Sequence, residues 1–155
     1  MSQKTSLSNT VLIIYTHSSR NYNLLLNILQ QYRDRKILIV TFDTPLYNKK
    51  TIIDTVNILK ELKLEHIIFE INEPISPFFT ILRKTKCYYC KSIRYSLLRR
   101  IFGKNAEIID LELPTEENVR EALRAARENS VTLLKGSTPC ENCSKEKFKS
   151  KEIVP

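Results

Sequence analysis

Four cysteines stand in this sequence as two pairs, Cys87-Tyr88-Tyr89-Cys90 and Cys140-Glu141-Asn142-Cys143. Two intervening residues let both sulfurs of a pair face one ion at about 2.3 Å, and two such pairs complete a tetrahedron of thiolates. The spacing nominates Cys87, Cys90, Cys140 and Cys143 as metal ligands, for zinc or for an iron–sulfur cluster. The long separation between the pairs is tolerable, because loop-closure entropy grows slowly with loop length. A redox dithiol and disulfides are the competing readings. A thioredoxin-type dithiol follows an early strand, whereas this one arrives after three strand segments and leaves the second pair without a role. Disulfides are rare where glutathione keeps thiols reduced, but proteins of hyperthermophiles escape that rule, and the Lys- and Glu-rich, glycine-poor composition leans that way.

The first pair lies in a positive block. From Thr80 to Ala106 there is no acidic residue, while Arg83, Lys84, Lys86, Lys91, Arg94, Arg99, Arg100 and Lys104 supply cations. Tyr88, Tyr89 and Tyr95 are interleaved with them, and aromatics among cations can stack bases while the charges hold phosphates. With a formal net charge of +8, the expected partner is RNA, tRNA in particular, or an acidic protein. The competing reading is an amphipathic helix in which Ile93, Tyr95, Leu97, Leu98, Ile101 and Phe102 form the core face and the cations are solvated.

The segments that must carry these residues follow from apolar periodicity. Thr10–Tyr15 and Lys36–Phe42 are β-branched apolar runs of the kind buried on both faces of a sheet, and His66–Ile71 is a third. Between them Leu24, Leu25, Ile28 and Leu29 recur at helical spacing, as do Ile53, Val56, Leu59 and Leu62 within Ile52–Leu64. Further on, Pro77–Lys84 and Lys91–Phe102 read as helices, Glu107–Leu111 as a strand, Thr115–Asn129 as a helix and Val131–Leu134 as a fifth strand. Strands alternating with helices imply parallel pairing through right-handed crossovers. The expected fold class is α/β, a three-layer sandwich around a parallel sheet of about five strands. At 155 residues, 42% of them hydrophobic, the chain suits one domain over residues 1–135, with residues 136–155 a charged cysteine-bearing tail packed on it. No apolar run reaches membrane-spanning length and the first ten residues are polar, so the expectation is a cytoplasmic protein with no membrane partner.

In open parallel sheets, ligands bind beyond the carboxyl ends of the strands. The first such turn is Thr16-His17-Ser18-Ser19-Arg20-Asn21. It has hydroxyls but no glycine, so Thr16, Ser18, Ser19 and Arg20 could meet a phosphate through side chains rather than by close backbone approach. A helix-capping loop using Ser19 or Asn21 is the simpler reading.

The order VLIIY, turn, NLLL, then ILIVTFDTPLYNKKTIIDTVNILKELKLEHIIFEINE, then KCYYCKSIRYSLL, resembles the N-terminal half of the PP-loop ATPases of the adenine nucleotide α-hydrolase-like (HUP) superfamily. Its nearest likeness there is to LarE-type ATP-dependent sacrificial sulfur transferases. The likeness spans roughly Thr10 to Phe102, and TFDTPL and CYYCK are its most specific pieces. It implies a parallel sheet with flanking helices, ATP as a cofactor, and adenylation of a substrate followed by sulfur transfer to tRNA or to a cofactor precursor. An iron–sulfur cluster on a CxxC plus a third cysteine occurs in some members. By this likeness Thr16, Ser18, Ser19, Asn21 and Asp43 line the nucleotide crevice. The family's S-G-G-x-D-S loop falls on Thr16–Asn21, where His17, Ser18 and Arg20 replace both glycines and the aspartate. IIDLELP stands where the family has a G-T-N turn. The sequence points to no particular catalytic residue. The combined expectation is a PP-loop-like protein of sulfur-transfer ancestry that binds metal, with a non-catalytic zinc-stabilised RNA-binding or adaptor module as the alternative.

Overall fold

The computed structural model describes residues 9–45, 47–71, 86–114 and 118–138. Its elements are β1 (Thr10–Ile14), α1 (Ser19–Gln31), β2 (Lys36–Asp43), α2 (Lys49–Glu61), β3 (His66–Glu70), α3 (Lys86–Phe102), β4 (Glu107–Asp110), α4 (Val119–Glu128) and β5 (Val131–Leu133). The five strands form one sheet in the order β3-β2-β1-β4-β5, and every neighbouring pair is parallel.

The apolar runs of β1 and β4 are continuous because both faces of these strands are covered. On one face Leu12, Ile14, Val40, Phe42 and Ile108 pack with Tyr95 and Leu98 of α3 and Ala125 and Ala126 of α4. On the other, Val11, Ile13, Ile39 and Ile109 pack with Leu25 and Ile28 of α1 and Leu59 of α2. Two helices thus lie on each side of the sheet, in the three layers expected for an α/β chain.

Several details depart from the periodic reading. The inward positions of α2 are Ile52, Thr55 and Leu59, whereas Ile53 is 58% exposed. Three residues per turn would favour Ile53 with Val56, but 3.6 residues per turn turns that row away from the sheet. In α3, Ile93 and Ile101 are exposed, so the core face of the competing amphipathic-helix reading is narrower than its apolar residues suggest. That helix starts at Lys86, so Cys87 and Cys90 lie within its first two turns and not in a loop ahead of it. It ends at Gly103, whose φ of +88° suits a residue without a side chain. The expected helix over 77–84 lies outside the described residues.

Candidate functional site

The chain runs from β1 outward to β2 and β3, then returns to the other side of β1 for β4 and β5. Connections therefore leave β1 and β4 in opposite directions, which opens a crevice beyond their carboxyl ends. The first βα turn and the segments after β4 and β5 meet there.

Ser18 is the N-cap of α1, its extended backbone (φ −158°, ψ 162°) placing Oγ to accept from the Asn21 amide at 3.1 Å. That satisfies a donor the helix leaves orphaned. Asn21 is buried, and its side-chain amide donates to the carbonyls of Thr16 and Ser137, each at 2.9 Å. Its Oδ1 accepts from the Ser137 amide at 2.7 Å, and the hydroxyls of Ser18 and Ser137 lie 3.2 Å apart. Asn21 thus ties the segment after β5 to the turn after β1. Gly136 makes this approach feasible, since a Cβ there would lie 1.7 Å from the Leu111 carbonyl oxygen and 2.5 Å from Asn21 Oδ1. Ser19 is exposed. Asp43 ends β2, with its carboxylate 3.7 Å from Lys49 Nζ. The backbone amide of His17 donates to Thr55 Oγ1 at 2.9 Å.

Beneath this turn lies a buried set of charges in which Lys91 and Arg94 of the positive block meet two carboxylates, Asp110 and Glu112, that the sequence alone does not join to them. Lys91, Arg94, Asp110 and Glu112 are each no more than 5% exposed. Lys91 Nζ pairs with Asp110 Oδ2 at 2.8 Å and donates to the Glu112 carbonyl at 2.6 Å. Arg94 Nη1 donates to the Tyr47 hydroxyl at 2.5 Å and lies 3.7 Å from Glu112 Oε1. The Tyr47 hydroxyl in turn donates to Glu112 Oε1 at 3.0 Å, and Thr16 Oγ1 donates to Glu112 Oε2 at 2.5 Å. Tyr95 donates to Asp110, whose other oxygen accepts from the Glu112 amide at 2.9 Å. The guanidinium of Arg94 lies 5.4 Å from the ring centroid of Phe42 and 5.2 Å from that of Tyr47, within cation–π range.

Two cations facing two carboxylates make the burial tolerable, since an unpaired buried charge costs several kcal/mol on the order seen in half-broken pairs. Burial opposes the charge on Lys91, but Asp110 and Glu112 outweigh it and raise its pKa. Burial first, and Asp110 second, raise the Glu112 carboxyl above the ordinary carboxylate range against the pull of Lys91 and Arg94. Tyr95 is raised well above a free phenol, chiefly by burial and then by Asp110.

The positive block is thereby redistributed. Lys91 and Arg94 do not face solvent, which corrects their assignment to a nucleic-acid surface. Their helix turns both inward, and their counter-charges come from Asp110 and Glu112, distant in sequence. Arg99 is half-buried and donates to the carbonyls of Asn129, Gly103, Ala106 and Ser130 at 2.9, 3.0, 2.7 and 3.0 Å. It ties the end of α3 to the start of β4 and to the α4–β5 turn, a structural duty. Arg100 is exposed. Arg83 and Lys84 lie outside the described residues, as does the side chain of Lys86.

Cys87 and Cys90, 4% and 5% exposed, form a small cluster with Tyr47 and Ile52. Their spacing of three puts them on one helix face. Cys140 and Cys143 lie outside the described residues, and among those described no three His, Cys, Asp or Glu side chains converge as metal ligands. Two buried soft donors are half of a tetrahedral thiolate set.

Sequence signals for the missed residues exist in hindsight. Asp110 and Glu112 alternate at the carboxyl end of an apolar strand, while Lys91 and Arg94, already candidates, interrupt the apolar side of a helix. Opposite charges at buried positions imply each other. Tyr47, in a loop, has no such signal.

The chain matches no family model and no curated protein sequence. Among solved structures, it is similar to the predicted subunit of a tRNA methyltransferase from Methanocaldococcus jannaschii, with a TM-score of 0.51 and 11% identity over 93% of this chain and 75% of that one. At that identity the likeness is one of fold alone, a parallel three-layer α/β sandwich. Among the described residues no helix is long and apolar enough to cross a membrane.

Proposed function

We propose that this chain is a PP-loop-like domain of sulfur-transfer ancestry that acts in the thiolation of tRNA or of a cofactor, with zinc or an iron–sulfur cluster held by Cys87, Cys90, Cys140 and Cys143. One observation carries the reading. The two buried cysteines of α3 pack on Tyr47, whose hydroxyl binds the same Glu112 that Thr16 of the first βα turn binds. Thiol chemistry and the crevice of the sheet are thus adjoining. Ser137, three residues before Cys140 in the sequence, is fastened to that same turn by Asn21.

In this reading the group supplies thiolate-bound metal or sulfide beside the crevice. Cys87 and Cys90 would act as ligands beside the Tyr47 ring, and Lys91 and Arg94 hold the carboxylates of Asp110 and Glu112 in place. The likeness to a tRNA methyltransferase subunit and the net charge of +8 support an RNA partner.

A second reading, a non-catalytic zinc-stabilised RNA-binding or adaptor module, is favoured by the first βα turn. Its Thr16, Ser18 and Asn21 already have partners within the protein. Calorimetry with ATP, AMP and pyrophosphate separates the two, because sulfur transfer of this type requires nucleotide binding and the module does not. Metal analysis of anaerobically purified protein tests what both share. One zinc per chain, or iron with labile sulfide and a brown absorbance, is expected, and Cys87→Ser should release it. Metal-free protein would reject the site.

A further inference from the structure

The strand β3 is the outer strand of the sheet among the described residues and pairs with β2 on one side. Its sequence is His66-Ile67-Ile68-Phe69-Glu70, and Ile67 and Ile68 are 36% and 38% exposed. Edge strands are ordinarily blunted by lysine, proline or a bulge, because a flat apolar edge presents unpaired N–H and C=O groups to any other strand. β3 has neither lysine nor proline.

The strand is also complementary to itself. In an antiparallel pair, residues directly opposite each other share a face. Pairing centred on Ile68 sets Ile68 against Ile68, Ile67 against Phe69, and His66 against Glu70. The imidazole then meets a carboxylate it can donate to, and the apolar side chains meet apolar side chains. The register also preserves the layers. Ile67 and Phe69 are in register with Val40 and Phe42, which belong to the α3 and α4 side of the sheet, and His66 and Ile68 are in register with Ile39 and Thr41 on the opposite side. A two-fold axis perpendicular to the sheet at Ile68 would continue each face of one copy into the same face of the other. At the amino end of β3 a groove of about 520 Å³, with Lys36, Glu65 and Thr10 as well as Leu38, Leu64 and Phe102 in its walls, crosses beneath the starts of β1 and β2.

We propose that two copies of this chain associate through β3, pairing antiparallel about Ile68 and doubling the five-stranded sheet. The interface is isologous, so each copy supplies both His66 and Glu70 and the assembly closes as a dimer. The site at the carboxyl ends of β1 and β4 is left open, since these strands lie on the far side of β2 from the paired edge.

Light scattering on the full chain should give twice the 18.1 kDa chain mass. Ile68→Lys places two like charges on the axis and should return the mass to one chain, which keeps the parent's circular-dichroism spectrum because the position is part-exposed in the single copy, while its melting point loses the contribution of association. His66→Glu should dissociate the dimer by facing Glu70, and His66→Glu with Glu70→Lys should restore it. Ile68→Cys supplies a readout independent of folding in the lysine variant. Opposed residues in such a pair are about 4.5–5.5 Å apart at Cα, within disulfide range. Mild oxidation should therefore join the copies on a non-reducing gel, and the parent chain should not be joined. A single-chain mass for the parent at the highest soluble concentration overturns the proposal. So does a dimer that survives Ile68→Lys, or an Ile68→Cys variant that does not cross-link.

Discussion

Replacing Lys91 by methionine tests whether α3 is anchored by charge or merely presents it. The ammonium lies 2.8 Å from Asp110 Oδ2 with side-chain exposures of 6% and 1%. At an effective dielectric of about 20 the attraction is roughly 6 kcal/mol before desolvation. Methionine keeps most of the stem volume and removes the lysine's own desolvation cost, but it leaves Asp110 buried without its ammonium and the Glu112 carbonyl without a donor at 2.6 Å. Half-broken buried pairs lose about 3–5 kcal/mol, which for a chain of this size lowers Tm by roughly 10 °C. A solvent-facing lysine would cost within about 0.5 kcal/mol. Urea denaturation gives the difference directly, and the midpoint should fall without a change of slope. Adding Asp110→Asn to Lys91→Met should recover part of the loss, because an amide needs no counter-charge. A loss under about 1 kcal/mol in Lys91→Met would refute the anchoring argument, since such a value belongs to surface substitutions.

Arg99→Ala removes the fork of hydrogen bonds that joins α3, β4 and the α4–β5 turn, and should cost about 1–3 kcal/mol, whereas the exposed Arg100→Ala should stay within about 0.5 kcal/mol; equal losses in thermal melts would contradict the contrast. Gly136→Ala forces a methyl group into the Leu111 carbonyl and should destabilise by about 1–3 kcal/mol or more, with amide exchange at Ser137 accelerated; an unchanged exchange rate would show that the approach is not tight. Because the folded chain holds the Glu112 proton more tightly than the unfolded one, this residue's contribution declines as pH rises from the ordinary carboxylate range through its raised folded pKa. Glu112→Gln should flatten that decline in denaturation series from about pH 4 to 8, and parallel curves for parent and variant would remove Glu112 as its source.

The layer architecture was legible in the sequence because burial on two faces leaves a one-dimensional trace. TVLII and KILIV can only be strands covered on both sides, and the helical spacing between them forces parallel crossovers. The cysteine spacing gave no sign that Cys87 and Cys90 stand on a helix. Tertiary structure decided the meaning of the charges. Lys91, Arg94, Arg99 and Arg100 stand in one basic run, yet two are neutralised by Asp110 and Glu112, one staples three elements through carbonyls, and one meets solvent. A local sequence window shows a cation but not its counter-ion when the two are brought together by a crossover between strands. The same holds for Asn21 and Ser137, separated by more than a hundred residues and joined by two hydrogen bonds beyond the carboxyl ends of the strands. Periodicity records which face of an element is dry, whereas pairing across that dry face depends on the strand order, and the strand order here is set by the return of the chain from β3 past β1 to β4.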